Sequence, residues 1–399
     1  MSWDFEHIVV GAGISGLGAA HMAARRGVDT LVLERGDRLG GCMYSYAFSE
    51  LRGFWAEAGS HTCFNSYGNL LGILKDLDLM ERITPKEKVS YKLWSGGERR
   101  SVFSALHWFQ AARSIPRLFM TPKDGKSVAE FYGRVLGADN YRDLLSHAFQ
   151  AVICQPADDY PAEALFRRKP RRKEVARAFT MPGGLSEIPA AIAAQDGLEV
   201  RTGQEISGVS RDGGGFRLSL ADGTELGCAY LTLAVPPDAA ARLIPAELPE
   251  IAGRIASIGM AEIETLVLVF RTADLDLPPV AGLIAVDDVF YSAVSRDFLP
   301  DSRYRGFAFH FRPEGLELSA KVQSACRALG AREDNVSAVV ETTHRLPSLR
   351  KGHLALVEEL DRGLGGLRLG LTGNWFLGVS IEDCLTRSRS EMLRLFGEA

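Results

Sequence analysis

A glycine-rich turn near the start of the chain constrains its fold more than any other stretch. Apolar residues at 7–10 predict a strand, an amphipathic segment follows as a helix, and a second apolar run at 30–33 ends in an acid. Glycines in this turn permit a tight bend, a close backbone approach to a pyrophosphate and close helix packing. The free N–H groups of the helix face the phosphates, and the acid accepts hydrogen bonds from a ribose. The residues that form this predicted dinucleotide site are Gly11, Ala12, Gly13, Ile14, Ser15, Gly16 and Glu34.

A Gly-Gly pair follows the acid and indicates which dinucleotide is bound. Arg35 comes next, and Gly40-Gly41 then follows a hydrophobic residue. A nicotinamide site has no need for this pair. Flavoproteins with two dinucleotide-binding domains carry a similar extension, which passes the FAD phosphates towards the flavin. An acid rather than an arginine at position 34 argues against a 2′-phosphate. The sequence therefore predicts FAD.

Composition sets wider limits on the protein. A length of 399 residues suits two domains, and a net charge of −4 gives no reason to expect nucleic acid. The six cysteines are scattered without a Cys-x-x-Cys motif, so neither a metal site nor a disulfide framework is predicted. The first predicted strand leaves no room for a signal peptide, and no apolar run is long enough to span a bilayer. We therefore expect a cytoplasmic protein with reduced thiols.

Two stretches each allow two interpretations. Residues 105–120 are rich in large apolar side chains and include Arg113 and Arg117. A buried helical hairpin is the favoured interpretation, and a surface that dips into a membrane or admits substrate is the alternative. Residues 167–173 form the densest basic run, which is typical of a solvated loop. The alternative is a patch for an anionic substrate or for acidic lipid headgroups, with peripheral membrane contact.

Four stretches together resemble the flavin amine oxidase and protoporphyrinogen oxidase superfamily, and protoporphyrinogen oxidase-like proteins most of all. They are residues 11–41, 59–61 and 181–185, and the C-terminal segments between 345 and 384. The resemblance implies an α/β fold with a Rossmann-like FAD-binding domain of the two-dinucleotide-binding type. That domain would be discontinuous, with residues 1–82, 185–237 and 345–399. The α+β substrate domain on a mixed sheet would hold residues 83–184 and 238–344, with a helical part at about 104–180.

The resemblance also implies which residues bind the cofactor. The first turn would hold the pyrophosphate, Glu34 and Arg35 would flank the adenosine, and the backbone of Ile206 would meet the adenine. The helix after Val379 would direct its positive end at the flavin and stabilise the anionic reduced form. The remaining residues implied in the flavin half of the site are Gly40, Gly41, Cys42, Gly59, Ser60, His61, Thr62, Gly373, Asn374, Ser380 and Ile381.

The implied activity is dehydrogenation of a small or medium organic substrate by hydride transfer to flavin N5. Oxygen or another acceptor would then reoxidise the flavin. Amine oxidases carry a lysine near N5 on a strand like residues 263–270, and no lysine stands there. A protoporphyrinogen or coproporphyrinogen is therefore the leading substrate. An amine or a polyprenoid is the alternative within the superfamily. A nonredox flavoenzyme similar to UDP-galactopyranose mutase, or a flavin-binding partner without catalysis, is the alternative of another class.

The substrate site is less defined by the sequence. Trp94, Phe103 and Phe290 could line a pocket with Arg99 or Arg113 at its mouth, and a core position is the alternative for each aromatic residue. No catalytic residue is predicted. Two histidines, His61 and His310, are acid–base candidates by residue type, with a structural role as the alternative. The oligomeric state stays open.

Overall fold

The protein is described by a computed structural model over residues 3–313 and 315–398. The strands are β1 (Phe5–Val10), β2 (Thr30–Leu33), β3 (Ser45–Phe48), β4 (Phe54–Glu57), β5 (Cys63–Phe64), β6 (Thr84–Pro85), β7 (Tyr91–Ser95), β8 (Glu98–Ser101), β9 (Ala178–Thr180), β10 (Leu198–Arg201), β11 (Ile206–Asp212), β12 (Gly215–Leu220), β13 (Glu225–Leu233), β14 (Gly259–Arg271), β15 (Gly282–Ala285), β16 (Phe290–Ser295), β17 (Tyr304–Phe311), β18 (Val336–Ser348) and β19 (Leu369–Leu371). The helices are α1 (Ile14–Ala24), α2 (Gly68–Asp76), α3 (Trp108–Met120), α4 (Val128–Leu136), α5 (Ala138–Asn140), α6 (Ser146–Ile153), α7 (Glu187–Ala193), α8 (Pro237–Leu243), α9 (Pro249–Ala256), α10 (Leu318–Leu329), α11 (His353–Leu364) and α12 (Ile381–Phe396).

A mainly parallel sheet carries the glycine-rich turn. Its order is β10-β2-β1-β13-β12-β11, and β19 pairs with the end of β13. Strands β10, β2, β1, β13 and β19 run parallel, whereas β12 pairs antiparallel with β13 and β11 pairs antiparallel with β12. Every residue of β2 and the last four of β1 are buried. Strands covered on both faces read as continuous apolar runs, which explains the composition of residues 7–10 and 30–33.

Three distant parts of the chain supply this sheet. Its strands lie within residues 5–33, 198–233 and 369–371. In register, Val10 pairs with Leu233, and Leu233 pairs with Leu371. The carboxyl ends of β1, β13 and β19 therefore meet at one edge, where ligands bind in open parallel sheets. The mixed α/β fold is confirmed, and the proposed domain bounds stay a prediction.

A second sheet forms the other large layer. Its order is β18-β14-β17-β16-β15-β7-β8, and only β15 and β7 pair in parallel. One face packs phenylalanines such as Phe290 and Phe309 against residues of α10. The opposite face of β14 and β17 packs against Phe54 and Ala56 of the β3–β4 hairpin. This hairpin leads directly to residues 58–62, so it links the second sheet to the edge of the first.

The prediction that residues 105–120 form a buried helical hairpin is wrong. Helix α3 lies on the surface, with Trp108 63% exposed and Phe109 and Met120 each 81% exposed. Phe103 is also exposed, and its ring stacks on Trp108. The basic run at 167–173 is exposed apart from Lys169, as expected for a solvated loop. Among residues 3–313 and 315–398, no helix is both long and apolar enough to cross a membrane.

Candidate cofactor-binding and active site

An open cavity of about 380 Å³ lies at the carboxyl edge of the parallel sheet. The first βα turn, the end of β2, the start of β11 and the loop after β19 surround it. Most of the predicted cofactor-binding residues meet here although they come from distant parts of the chain. Those that line the cavity are Gly11, Gly13, Ile14, Ser15, Glu34, Arg35, Gly40, Gly41, Cys42, Ser60, Ile206, Gly373, Asn374, Val379 and Ile381.

The glycines of the first turn leave space for a ligand on one side only. A Cβ atom at position 16 would lie 1.9 Å from the carbonyl oxygen of Gly11, so Gly16 is needed for packing between helix and strand. At Gly13 a Cβ atom would meet no atom of the described residues within 4 Å. Gly13 is also the N-cap of α1, and within the described part of the chain no side chain caps that helix. The uncapped N–H groups and the open space fit the pyrophosphate of a dinucleotide.

Glu34 is held rigidly at the end of β2. Its Oε2 accepts a hydrogen bond from the Ala12 N–H at 2.8 Å, and its Oε1 accepts one from the Gly36 N–H at 2.9 Å. A carboxylate oxygen has a second lone pair, so both oxygens can still accept hydrogen bonds. The carboxylate therefore has the fixed position and free capacity that binding of a ribose hydroxyl requires. Ala12 itself is fully buried and is not among the residues that line the cavity.

Helix α12 directs its N-terminus towards the other side of the cavity, beside Val379 and Ile381. Ser380 caps this helix by accepting a hydrogen bond from the Asp383 N–H at 3.1 Å. Lys169 Nζ lies 2.8 Å from Asp383 Oδ1 and 3.1 Å from Ser380 Oγ. One residue of the basic run thus fastens that loop to the cap of α12. Sequence patterns do not indicate this contact, because the pairing joins positions more than two hundred residues apart.

Gly59, His61 and Thr62 adjoin Ser60 in the chain and are not among the residues that line the cavity. A Cβ atom at position 59 would lie 2.1 Å from the Cys42 carbonyl oxygen, so Gly59 allows two backbones to cross closely. The Thr62 hydroxyl lies 2.5 Å from Lys86 Nζ. Whether these residues contact the cofactor stays a prediction, as it does for the other residues of the site.

The two candidate histidines meet in space. His61 Nε2 lies 2.9 Å from His310 Nε2, although 249 positions separate them. His310 Nδ1 lies 3.2 Å from the hydroxyl of Thr265, its register partner on β14. Burial, followed by electrostatic interaction with His310, Lys86 and His344, holds the pKa of His61 well below its usual range. Burial, with a smaller contribution from His344, lowers the pKa of His310 to about 4.

A lysine and a glutamate beside the histidines also have perturbed pKa values. Lys86 Nζ donates to the His61 carbonyl oxygen at 2.8 Å and lies 3.3 Å from the ring centroid of Phe298. Burial lowers the pKa of Lys86 to about 7. Burial also raises the pKa of Glu57 to about 7, although the N–H of Leu185 donates to it at 2.9 Å. Titratable groups perturbed in this way gather at functional sites. Sequence reasoning missed both, since neither belongs to a motif.

The predicted aromatic substrate pocket is wrong. Trp94 and Phe290 are buried in the core of the second sheet, whereas Phe103 is exposed. Arg99 donates to the Ala328 carbonyl oxygen at 2.8 Å, and Arg113 is exposed on α3. The core alternative therefore holds for Trp94 and Phe290.

Comparison with known proteins identifies the family. The family model described as "Flavin containing amine oxidoreductase" matches residues 14–315, which is more than half of the chain. An L-amino acid dehydrogenase of Synechocystis is 24% identical over 271 residues, which cover 59% of this chain and 57% of the relative. The protoporphyrinogen oxidase of Bos taurus is 24% identical over 247 residues, which cover 55% of this chain and 52% of the relative. The alignments thus span little more than half the length of these relatives.

Solved structures match the whole fold. A putative protoporphyrinogen oxidase from Exiguobacterium superposes with a TM-score of 0.77 at 17% identity, covering 98% of both chains. Putrescine oxidase bound to putrescine superposes with a TM-score of 0.72 at 14% identity, covering 99% of both chains. At these identities the likeness concerns the fold alone. The match of the family model over residues 14–315 shows that this protein belongs to the flavin containing amine oxidoreductase family.

Proposed function

We propose that the chain oxidises a porphyrinogen, either protoporphyrinogen or coproporphyrinogen, with FAD as the hydride acceptor. The observation that carries this choice is the composition of β14, which reads Gly-Met-Ala-Glu-Ile-Glu-Thr-Leu-Val-Leu-Val-Phe-Arg. This strand holds no lysine, whereas amine oxidases carry a lysine near flavin N5 on the corresponding strand. Two relatives support the same choice by their names, the protoporphyrinogen oxidase already described and a coproporphyrinogen III oxidase of Propionibacterium freudenreichii.

The chain itself contributes binding, orientation and electrostatics. FAD, when bound, supplies an acceptor for two electrons and a proton. The N-terminus of α1 and the open face of Gly13 would hold the pyrophosphate, and Glu34 would hold the ribose. The N-terminus of α12 would favour negative charge on the reduced cofactor. Oxygen or another acceptor would then regenerate the oxidised state.

Porphyrin fluorescence tests this proposal directly. Protoporphyrinogen IX and coproporphyrinogen III are each added in air to purified, FAD-loaded protein, with FAD alone and with no protein as controls for autoxidation. We expect porphyrin to form faster than in both controls. A flavin that is bound but gives no excess rate with either porphyrinogen would overturn the proposed substrate class.

An amine or amino acid is the second candidate substrate. It is favoured by the L-amino acid dehydrogenase, which aligns over a longer stretch than the porphyrinogen oxidase, and by the likeness to putrescine oxidase. Anaerobic bleaching of the flavin absorbance with a panel of amines, amino acids and polyprenoids tests it. Bleaching by an amine but not by a porphyrinogen would replace the first candidate with the second.

The exposed face of α3 is the basis for a further part of the proposal, a peripheral contact with anionic membranes. Trp108 and Phe109 are exposed, and Arg113 and Arg117 accompany them on a helix without acidic residues. Such a helix lies in the lipid interface with its aromatic side chains inserted. Co-sedimentation with vesicles containing phosphatidylserine should exceed that with phosphatidylcholine vesicles alone. The double variant Trp108→Ser, Phe109→Ser should lose this binding, and equal sedimentation of variant and parent would exclude the contact.

A further inference from the structure

Two imidazoles share one hydrogen bond at the junction between the two sheets. His61 directly follows Ser60, which lines the cavity, and His310 lies on β17 of the second sheet. Their Nε2 atoms are 2.9 Å apart. A neutral imidazole has one donor and one acceptor nitrogen, so this contact requires a hydrogen on one Nε2 and a lone pair on the other.

Thr265 closes the far end of this chain of hydrogen bonds. Its hydroxyl lies 3.2 Å from His310 Nδ1, and both residues are buried. If His310 Nδ1 donates to Thr265, His310 Nε2 must accept and His61 Nε2 must donate. His61 Nδ1 then carries a free lone pair. Within the described residues no hydrogen-bond partner faces that nitrogen, and His61 is partly exposed.

Burial, assisted by the surrounding titratable groups, keeps the pair neutral in the resting protein. The titratable groups that act on His61 are His310, Lys86 and His344, and His344 also acts on His310. All three disfavour a positive charge on the rings. Glu57 is nearby, where it favours the charged form of Lys86. A neutral imidazole with an open nitrogen is equipped to accept a proton rather than to supply one.

We propose that His61, supported by His310 and Thr265, accepts the proton that the substrate releases when its hydride leaves. This rests on the proposed function as a dehydrogenase, and it requires a substrate whose N–H group is adjacent to the reacting C–H, as in an amine, or conjugated with it, as in a porphyrinogen. The C–H bond breaks, and its electron pair leaves with the hydride to FAD. The N–H bond also breaks, its electron pair forms a C=N bond, and its proton goes to His61 Nδ1. In an amine this C=N bond forms at the reacting carbon, whereas in a porphyrinogen it forms within the pyrrole ring, whose π electrons shift to make a C=C bond at the reacting carbon. The substrate loses two electrons and FAD gains two.

The supporting residues then spread the charge. As Nδ1 of His61 gains a proton, the hydrogen on its Nε2 can pass to Nε2 of His310. His310 and Thr265 are thus positioning residues, whereas His61 is the residue expected to contact the substrate.

Nitrogen-15 NMR of the histidine side chains tests the arrangement without any turnover. Both the FAD-free and the FAD-loaded protein are labelled, and His61→Asn and His310→Asn assign the signals. We expect both rings to stay neutral at pH 6, with the hydrogen of His61 on Nε2. A hydrogen on Nδ1 of His61, or a charged His61 at pH 6, would overturn the proposal. Binding of Zn²⁺ that both variants abolish would do the same, because it would assign the pair to a metal site.

Anaerobic stopped-flow reduction of the flavin tests the chemical role. His61→Asn should slow reduction by roughly 10²- to 10⁴-fold, the usual contribution of a general base. The loss should shrink at high pH, where hydroxide replaces the imidazole, and FAD affinity should stay within about twofold. His310→Asn and Thr265→Val should cause smaller losses. The exposed His107, paired with Asp143 at 2.9 Å on the outside of the protein, provides the matched control His107→Asn.

The two hypotheses fail in different ways. If none of the substrates tested reduces the flavin of the parent protein, the proposed function fails. The tautomers seen by NMR then decide alone whether His61 and His310 have the proposed hydrogen-bond arrangement. If the parent is reduced and His61→Asn is reduced at the same rate, the function stands and the role of His61 is refuted.

Discussion

Substitution of Gly13 by alanine separates cofactor binding from folding in this protein. Gly13 has φ −71° and ψ 173°, a conformation that alanine adopts without strain. Among residues 3–313 and 315–398, no atom lies within 4 Å of the added methyl group, which instead projects into the cavity. The variant should therefore fold normally and bind FAD poorly.

The magnitudes follow from the same geometry. Alanine is a weaker N-cap than glycine by a few tenths of a kcal/mol to about 1 kcal/mol, but it lowers the entropy of the unfolded chain by about 0.4–1 kcal/mol. These effects oppose each other, so the free energy of unfolding of the apoprotein should change by less than about 0.5 kcal/mol. A phosphate displaced by the methyl group loses at least one charge-assisted hydrogen bond, worth about 1.5–3 kcal/mol. FAD should bind roughly 10- to 100-fold more weakly.

Two measurements on the variant, and two control variants at other glycines, separate FAD affinity from stability. The apoprotein is titrated with FAD by calorimetry, and its free energy of unfolding is measured in urea. Gly16→Ala places a methyl group 1.9 Å from the Gly11 carbonyl oxygen, so it should destabilise the apoprotein by about 1–3 kcal/mol or more. Gly72→Ala, within α2 and free of close neighbours, should stabilise it by about 0.5–1 kcal/mol without changing FAD affinity. Unchanged FAD affinity in Gly13→Ala would refute the placement of the pyrophosphate on this turn.

Further predictions concern the stability of the two sheets, measured by urea unfolding. Burial lowers the pKa of His7 to about 3, below its value of about 6.5 in an unfolded chain. The neutral form is therefore favoured on folding, and its stabilising contribution, complete above about pH 6.5, is lost as the pH falls towards 3. From pH 7.5 to 5 the free energy of unfolding of the parent should fall by about 2 kcal/mol more than that of His7→Gln. Parallel dependences of the two free energies on pH would contradict this. Arg305 pairs with Asp297 at 2.9 and 2.5 Å in a buried site, so Arg305→Ala should cost about 3–5 kcal/mol. Arg332→Ala, which breaks an exposed 3.3 Å pair with Asp334, should have no measurable cost, and equal losses in the two variants would show that burial does not set the cost.

The nucleotide half of the site could be predicted because its constraints are local. Strand, turn, helix and acid follow one another within residues 7–34, and each position is limited by backbone geometry or burial. A Cβ atom fits neither at Gly11 nor at Gly16, and the open position between them faces the cavity. The C-terminal part of the site was reached through resemblance, since its constraints include contacts between distant parts of the chain, such as the close approach of Gly378 to the Ala164 carbonyl oxygen.

The misplacement of residues 105–120 has a physical reason. The pattern of apolar residues predicts a helix with an apolar face, but it does not show whether the protein core or a lipid surface covers that face. In the structure the segment leaves Trp108 and Phe109 uncovered, beside exposed arginines. A protein core and a membrane surface call for similar side chains, so this choice depends on the tertiary arrangement rather than on the pattern.

The histidine pair depends on tertiary register, yet one signal for it was present in β17. This strand alternates small or polar residues with phenylalanines, in the order Gly306, Phe307, Ala308, Phe309, His310, Phe311. The phenylalanines enter the core of the second sheet, whereas Ala308 packs against the β3–β4 hairpin. A Cβ atom at position 306 would lie 3.1 Å from the Phe54 ring. Small residues on one face mark a close approach of another backbone.

Period-2 geometry therefore places His310 on the face that receives the hairpin. Thr265, its register partner on β14, belongs to the same face as Val267 and Val269, which pack on the hairpin. The hairpin continues into residues 58–62, so close packing at Gly306 and Ala308 determines how near His61 comes to His310. The proton-accepting pair thus exists only when the second sheet is docked on the first. Its 2.9 Å hydrogen bond reports on that docking as directly as it reports on the chemistry of the site.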